Sequence, residues 1–250
     1  MKMIMFHSFR RGVGRSSMIA NMTALLAIEG YRIGVIDTNI QAPSLHILFN
    51  LDEDNITYSL NDYLSDNCEI RQTVHHITSR LHPNMKGDVF FIPASPQAED
   101  IARVLRHSHD MEKLNTGLQQ LVEELRIDVL LIDPPSGLTE EALYLIGISD
   151  TVLILMRPDQ QDYQGTGIMI DVIRKLDISQ LLLLVNEVPT AFDLNEVRKH
   201  VAHTYLCQVA AVVPHSEEML TLGSNAIFVL RYPDRPQTEL YKQIANRLLI

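Results

Sequence analysis

Short runs of aliphatic and β-branched residues alternate with stretches of helical period from one end of this 250-residue chain to the other. Each apolar run, about five or six residues long, fits a strand buried on both faces, and the amphipathic stretches between fit helices that cover it. The alternation therefore predicts an α/β fold, a mostly parallel sheet of about seven or eight strands with helices on both faces. The candidate strands are Lys2 to His7, Arg32 to Asp37, Val89 to Pro93, Val129 to Asp133, Thr151 to Met156, Leu181 to Asn186 and Gln208 to Val213.

From Leu51 to Gly87 the pattern is least regular, and the turn signals there read as an elaboration of one crossover, with a short helix opening near Ser59. No repeat, low-complexity tract or linker rich in Gly or Pro interrupts the chain, so residues 1–250 are read as one domain. A hydrophobic content of 46% supports a large core and excludes the disordered and fibrous classes. No apolar run approaches the roughly 18 residues that cross a bilayer, and no signal-peptide pattern precedes the first strand, so a soluble, cytoplasmic protein is expected. Cys68 and Cys207 are far apart and carry no metal-type spacing, which reads as two ordinary reduced thiols. The net charge of −10 argues against a surface that coats nucleic acid as a whole, while leaving a local basic patch open.

Between the first strand and a helical run from Met18 to Glu29 stands His7-Ser8-Phe9-Arg10-Arg11-Gly12-Val13-Gly14-Arg15-Ser16-Ser17. A loop in this place can wrap a phosphate with successive backbone N–H groups and the positive end of the helix, and glycine lets the backbone approach closely. The strict pattern G-x-x-x-x-G-K-S/T fails at Phe9, which stands at the first glycine, and at Arg15, which stands at the lysine. A basic surface turn is the alternative reading of the loop taken alone.

The loop resembles the K-G-G-x-G-K-S/T phosphate loop of the ParA/MinD family of P-loop ATPases. Gly12, Gly14 and Ser16 match, and Arg10, Arg11 and Arg15 stand at the first lysine, first glycine and second lysine. The resemblance implies a P-loop NTPase-like fold with ATP or ADP held by Arg11, Gly12, Val13, Gly14, Arg15, Ser16 and Ser17. It also implies that Arg10 reaches across a dimer interface to the partner's nucleotide. Arginine keeps the charge of lysine but is bulkier and forked, so the exchange is not conservative at a tight phosphate site.

Asp37-Thr38-Asn39-Ile40-Gln41-Ala42-Pro43-Ser44 resembles the same family's D-x-D-x-Q-x-P-S stretch except at Asn39. In the family the second aspartate orients the attacking water. An asparagine amide holds a water but accepts no proton from it, so hydrolysis at Asn39 should suffer more than binding. Asp133, closing a second apolar strand before Pro134-Pro135-Ser136-Gly137, resembles the Walker B aspartate and its switch segment. Mg2+ takes few protein ligands, so Ser16, Asp133 and Asp37, directly or through water, form the implied metal set.

Asn186, ending the strand from Leu181, resembles the family's adenine-contacting asparagine, and the residues after it lack the lysine and aspartate that guanine recognition needs. A strand-end asparagine that satisfies loop backbone is the alternative. Arg157 either lends positive charge to the site rim or is tied to Asp159 or Asp162. The late strand and turn, Val212 to Glu218, extend the resemblance over nearly the whole chain. His75, His76, His107 and His109 lack supporting ligand spacing and are read as solvated surface. Gln237 to Ile250 has one apolar face but only two cations opposite it, which reads as a docked core helix in preference to a membrane anchor.

Two functions of different class fit these residues. One is an ATP-binding dimerisation switch with slow hydrolysis, a nucleotide-dependent homodimer that recruits a protein partner in intracellular positioning or partitioning, with nonspecific DNA a further possible ligand. The other is a pseudo-ATPase scaffold that no longer uses nucleotide.

Overall fold

A computed structural model describes residues 1–83, 85–105, 110–176 and 178–249. The strands are β1 (Lys2–His7), β2 (Ile33–Asp37), β3 (His75–His76), β4 (Val89–Ile92), β5 (Val129–Asp133), β6 (Thr151–Met156), β7 (Gln180–Val188) and β8 (Gln208–Pro214). They form one eight-stranded sheet in the order β3-β4-β2-β5-β1-β6-β7-β8, parallel throughout except at the β3–β4 edge. The longer helices are α1 (Arg15–Glu29), α2 (Ala98–Leu105), α3 (Met111–Leu125), α4 (Glu140–Ile148), α5 (Gln160–Ile173), α6 (Leu194–Tyr205) and α7 (Pro236–Leu249).

Because successive strand side chains point to opposite faces, each strand feeds two cores. Ile4 and Phe6 of β1 pack with α1 and α7 on one face, while Met3 and Met5 pack with α3, α4, α5 and α6 on the other. α1 is buried on nearly every side, which is why its apolar residues do not form a narrow stripe. α7 lays Tyr241, Ile244, Ala245 and Leu248 into the α1 face, with Tyr241 edge-on to Phe228 at 6.0 Å, so the C-terminal segment is a core helix.

The strand expectations hold with local corrections. β4 stops at Ile92 because Pro93 has no N–H to continue a ladder. β2 starts after Arg32, whose backbone N–H donates to the Asp128 carboxylate rather than to a neighbouring strand. α1 begins at Arg15, three residues before the expected Met18, because left-handed Gly14 already ends the loop there. β3 was not anticipated. His75 and His76, read as solvated surface, pair antiparallel with Phe91 and Phe90, and the His76 ring stacks on Phe90 at 5.1 Å. His107 and His109 lie outside the described residues.

Candidate functional site

The carboxyl ends of β1, β2, β5 and β7 bring the sequence's candidate residues together, at the edge where open parallel sheets collect ligands. Asp37 and Asp133 are register partners at the last rung of β2 and β5, so two carboxylates nearly a hundred residues apart stand side by side. Both are fully buried. Asp37 accepts backbone N–H groups from Asn39 (3.0 Å), Ser44 (3.1 Å) and Leu45 (3.3 Å). Burial, followed by the charge of Asp133, nevertheless raises its pKa to about 7, since desolvation and a like neighbour both disfavour the anion.

The loop from Ser8 to Gly14 arches over this pair. Gly12 and Gly14 have φ of 79° and 91°, left-handed values that glycine adopts without a Cβ penalty. Gly14 opens α1 with no capping side chain, and no acidic residue occupies the first turn. The helix's unsatisfied N–H groups and positive end are therefore left to whatever anion comes near.

Arg15 does not face outward. Its side chain is 7% exposed, Nε donates to Asp133 Oδ1 at 2.5 Å, and Nη1 donates to Ser8 Oγ at 3.1 Å and Ser136 Oγ at 3.0 Å. The other Asp133 oxygen accepts the Ser16 hydroxyl at 2.8 Å, and Ser16 in turn accepts the Ser44 hydroxyl at 2.9 Å. Gly137, with φ of 81°, donates its N–H to the Ser8 carbonyl at 2.9 Å and so ties the segment after β5 to the loop. The sequence pointed to Arg15, Ser16 and Asp133; Ser8 and Ser136 as holders of Arg15 left no signal, because lone serines in turns are common.

Asn186 donates from Nδ2 to the Val13 carbonyl at 2.8 Å, the backbone-satisfying alternative of the two read from sequence. A register shift in β7 before Val188 and a left-handed Glu187 (φ 54°) set the asparagine at this bend. A small cavity beside it is walled by Gly14, Met18, His215, Ser216 and Tyr241. His215 and Ser216 follow β8 in the turn already noted in the sequence, though they had no assigned role there.

Arg10 is bound within its own chain, Nε to Asp162 Oδ1 at 2.6 Å and Nη2 to Asp159. Those are the carboxylates expected to tie Arg157, whose backbone N–H does donate to Asp162 Oδ2 at 2.7 Å while its guanidinium pairs with Glu187. Arg11 and Gly12 are exposed at the loop tip, and Ser17 is half-buried. Asn39 is 5% exposed; its amide nitrogen donates to the Ala42 carbonyl at 2.8 Å, while Oδ1 is buried with no partner among the described residues. His7, unassigned in the sequence, is fully buried at the end of β1, and among the described residues neither ring nitrogen has a partner at full hydrogen-bond geometry. Burial, then the charge of Arg15, push its pKa down to about 3, with the Gly137 backbone acting the other way.

The glycine turns and open helix end suit a phosphate. A Mg2+ ion fits the folded donor set less well, since both oxygens of Asp133 are already occupied by Arg15 and Ser16. Among the described residues no group of three or more His, Cys, Asp and Glu side chains could hold a metal ion.

The AAA domain family model matches residues 1–183, nearly three quarters of the chain. The chain belongs to that family, as a ParA/MinD-like P-loop ATPase. This ParA/MinD-like chain is 25% identical over 246 residues to an uncharacterized ATP-binding protein of Methanocaldococcus jannaschii, covering 97% of this chain and 85% of that one. Its fold is that of the septum site-determining protein MinD complexed with Mg-ADP from Pyrococcus horikoshii, with a TM-score of 0.81 at 17% identity over 99% and 95% of the two chains. A ParA family ATPase from Chlorobium tepidum has the same fold, with a TM-score of 0.76 at 17% identity over 99% and 98%. Among the described residues of this ParA/MinD-like chain no helix is long and apolar enough to cross a membrane.

Proposed function

We propose that this chain is an adenine-nucleotide-dependent dimerisation switch that turns ATP over slowly and acts in intracellular positioning or partitioning. The observation that carries the reading is the convergence of Asp37, Asp133, Ser16 and left-handed Gly12 and Gly14 at one sheet edge, under an uncapped helix N-terminus. The relatives named above include an ATP-binding protein and a MinD bound to Mg-ADP, which supports ATP or ADP as the ligand.

Slow turnover follows from Asn39, where an amide replaces the carboxylate that would take a proton from the attacking water. Its buried, unpartnered Oδ1 can hold that water without activating it. Arg10 is the residue that would serve the partner subunit's nucleotide, and leaving Asp159 and Asp162 is the step that would free it. The protein partner is of unassigned chemistry, and DNA binding would need a basic face against the overall charge of −10.

A specific observation favours the scaffold reading as well: the loop's second cation is spent inside the protein, on Asp133. Calorimetric titration of nucleotide-free protein with ADP and a non-hydrolysable ATP analogue, followed by light scattering, separates the two. The switch requires saturable binding and a doubling of mass with the ATP analogue, of which only the doubling is weakened in Arg10→Ala. No heat and no change of mass establish the scaffold.

A further inference from the structure

The donors of the Arg15 guanidinium are only partly used. Nε and Nη1 are committed to Asp133, Ser8 and Ser136, while Nη2 makes no hydrogen bond among the described residues. Arg15 is also the first residue of α1, directly after left-handed Gly14, and therefore sits at the positive end of the helix inside the phosphate-loop turn. A cation that holds an acidic strand end through Nε and keeps the two N–H groups of Nη2 for an incoming anion has the connectivity of a bridging metal ion.

The same contacts work against a metal. Mg2+ needs oxygen lone pairs in near-octahedral array and usually takes one or two carboxylates plus phosphate. Asp133 Oδ1 already accepts from Arg15, and Oδ2 accepts from Ser16, whose own oxygen accepts from Ser44. A dication placed at Asp133 would have to expel a buried guanidinium or sit against its charge.

We propose that Arg15 is the resident cation of this site, bridging Asp133 to the phosphate of a bound nucleotide through Nη2, so that nucleotide binding does not depend on divalent metal. Arginine suits the role and lysine does not. The guanidinium is always charged, weakly hydrated and presents five donors in a rigid fork, so it can hold three protein oxygens and still keep the two N–H groups of Nη2 for a ligand. A lysine ammonium, with three donors on a flexible stem, could not hold Asp133, Ser8 and Ser136 and also a phosphate. The inference rests on the nucleotide-binding reading above.

The test is calorimetric titration of the full chain, freed of nucleotide and divalent ions, with ADP and with a non-hydrolysable ATP analogue, in Mg2+ and in EDTA. The expected result is a Kd that differs between the two by less than about threefold, well short of the tenfold that 1.4 kcal/mol represents. Arg15→Lys, which keeps the charge but releases part of the fork, is expected to bind at least about tenfold more tightly in Mg2+ than in EDTA. Wild-type binding that collapses in EDTA overturns this inference and leaves the nucleotide reading standing, as does a lysine variant that stays indifferent to metal. Absence of binding in both buffers overturns the nucleotide reading and this inference with it.

Discussion

Arg15 and Asp133 form a buried ion pair, Nε to Oδ1 at 2.5 Å, between the first residue of α1 and the last residue of β5. It closes the sheet edge under the loop: Arg15 is 7% exposed and Asp133 not at all. Removing one member of such a pair strands the other in low dielectric, so Arg15→Ala or Asp133→Asn alone should cost about 3–5 kcal/mol. The double variant should cost clearly less than the sum of the two singles. Urea denaturation in a double-mutant cycle measures the coupling, and strict additivity would show that the pair is not formed in solution.

Stability against pH should reveal two buried groups that act in opposition. His7 falls from 6.5 to about 3 on folding, so the unfolded chain binds more protons below pH 6.5, and this contribution to stability is lost as pH falls through that window. Asp37 rises from 3.8 to about 7, so its contribution is present below 3.8 and is lost as pH rises through 7. Between 3.8 and 6.5 the two slopes oppose each other. Asp37→Asn should therefore uncover a stability that rises with pH, by up to about 1.4 kcal/mol per pH unit from His7. His7→Leu should uncover the reverse slope. Thermal melts across this range decide the matter, and parallel curves for wild type and both variants would show that neither group is shifted.

Gly14→Ala should damage the loop twice over. At φ of 91° an alanine is strained, by roughly 1–2 kcal/mol. Its Cβ would also fall 2.4 Å from Asn186 Nδ2 and push that amide off the Val13 carbonyl. Gly147→Ala in α4 is the control: nothing lies within 4 Å of the added Cβ, and alanine should gain up to about 1 kcal/mol of helix propensity. A Gly14→Ala variant as stable as wild type, with unchanged nucleotide binding, would show that neither stability nor binding depends on the left-handed turn at Gly14.

Asn39→Asp restores the carboxylate that the resemblance places beside Asp37. With nucleotide bound, single-turnover ATP hydrolysis should accelerate by about a hundredfold, the lower end of what a positioned general base contributes. Phosphate release in a quenched time course reads the rate. An unchanged rate in a variant that demonstrably binds ATP would place the block elsewhere.

Much of this was legible before any fold was known. The apolar runs located seven of the eight strands to within about two residues at each end, since a parallel strand buried on both faces has to be apolar along its whole length. The edge strand at His75 and His76 was not legible: two polar residues held by one neighbouring strand and a stacked ring leave no period to detect. Asp37, Asp133 and the Gly12–Gly14 turn were visible because strand-end carboxylates and paired glycines carry a pattern in one dimension. The destinations of Arg10, Arg15 and Arg157 were not, because a guanidinium on a long stem can reach any of several carboxylates.

By itself, then, the sequence determined the layered α/β architecture, which follows from local pattern and residue chemistry, and its resemblance to the family is what implies the phosphate-type loop and a carboxylate replaced at Asn39. Only the tertiary structure decided that Arg15 turns inward to Asp133, that the guanidinium of Arg10 rather than that of Arg157 takes Asp159 and Asp162, and that Asn186 serves the loop backbone. Those choices depend on which strand ends the sheet order makes neighbours. Charge pairing over 118 or 152 residues of chain is a property of that order and leaves no trace in local sequence.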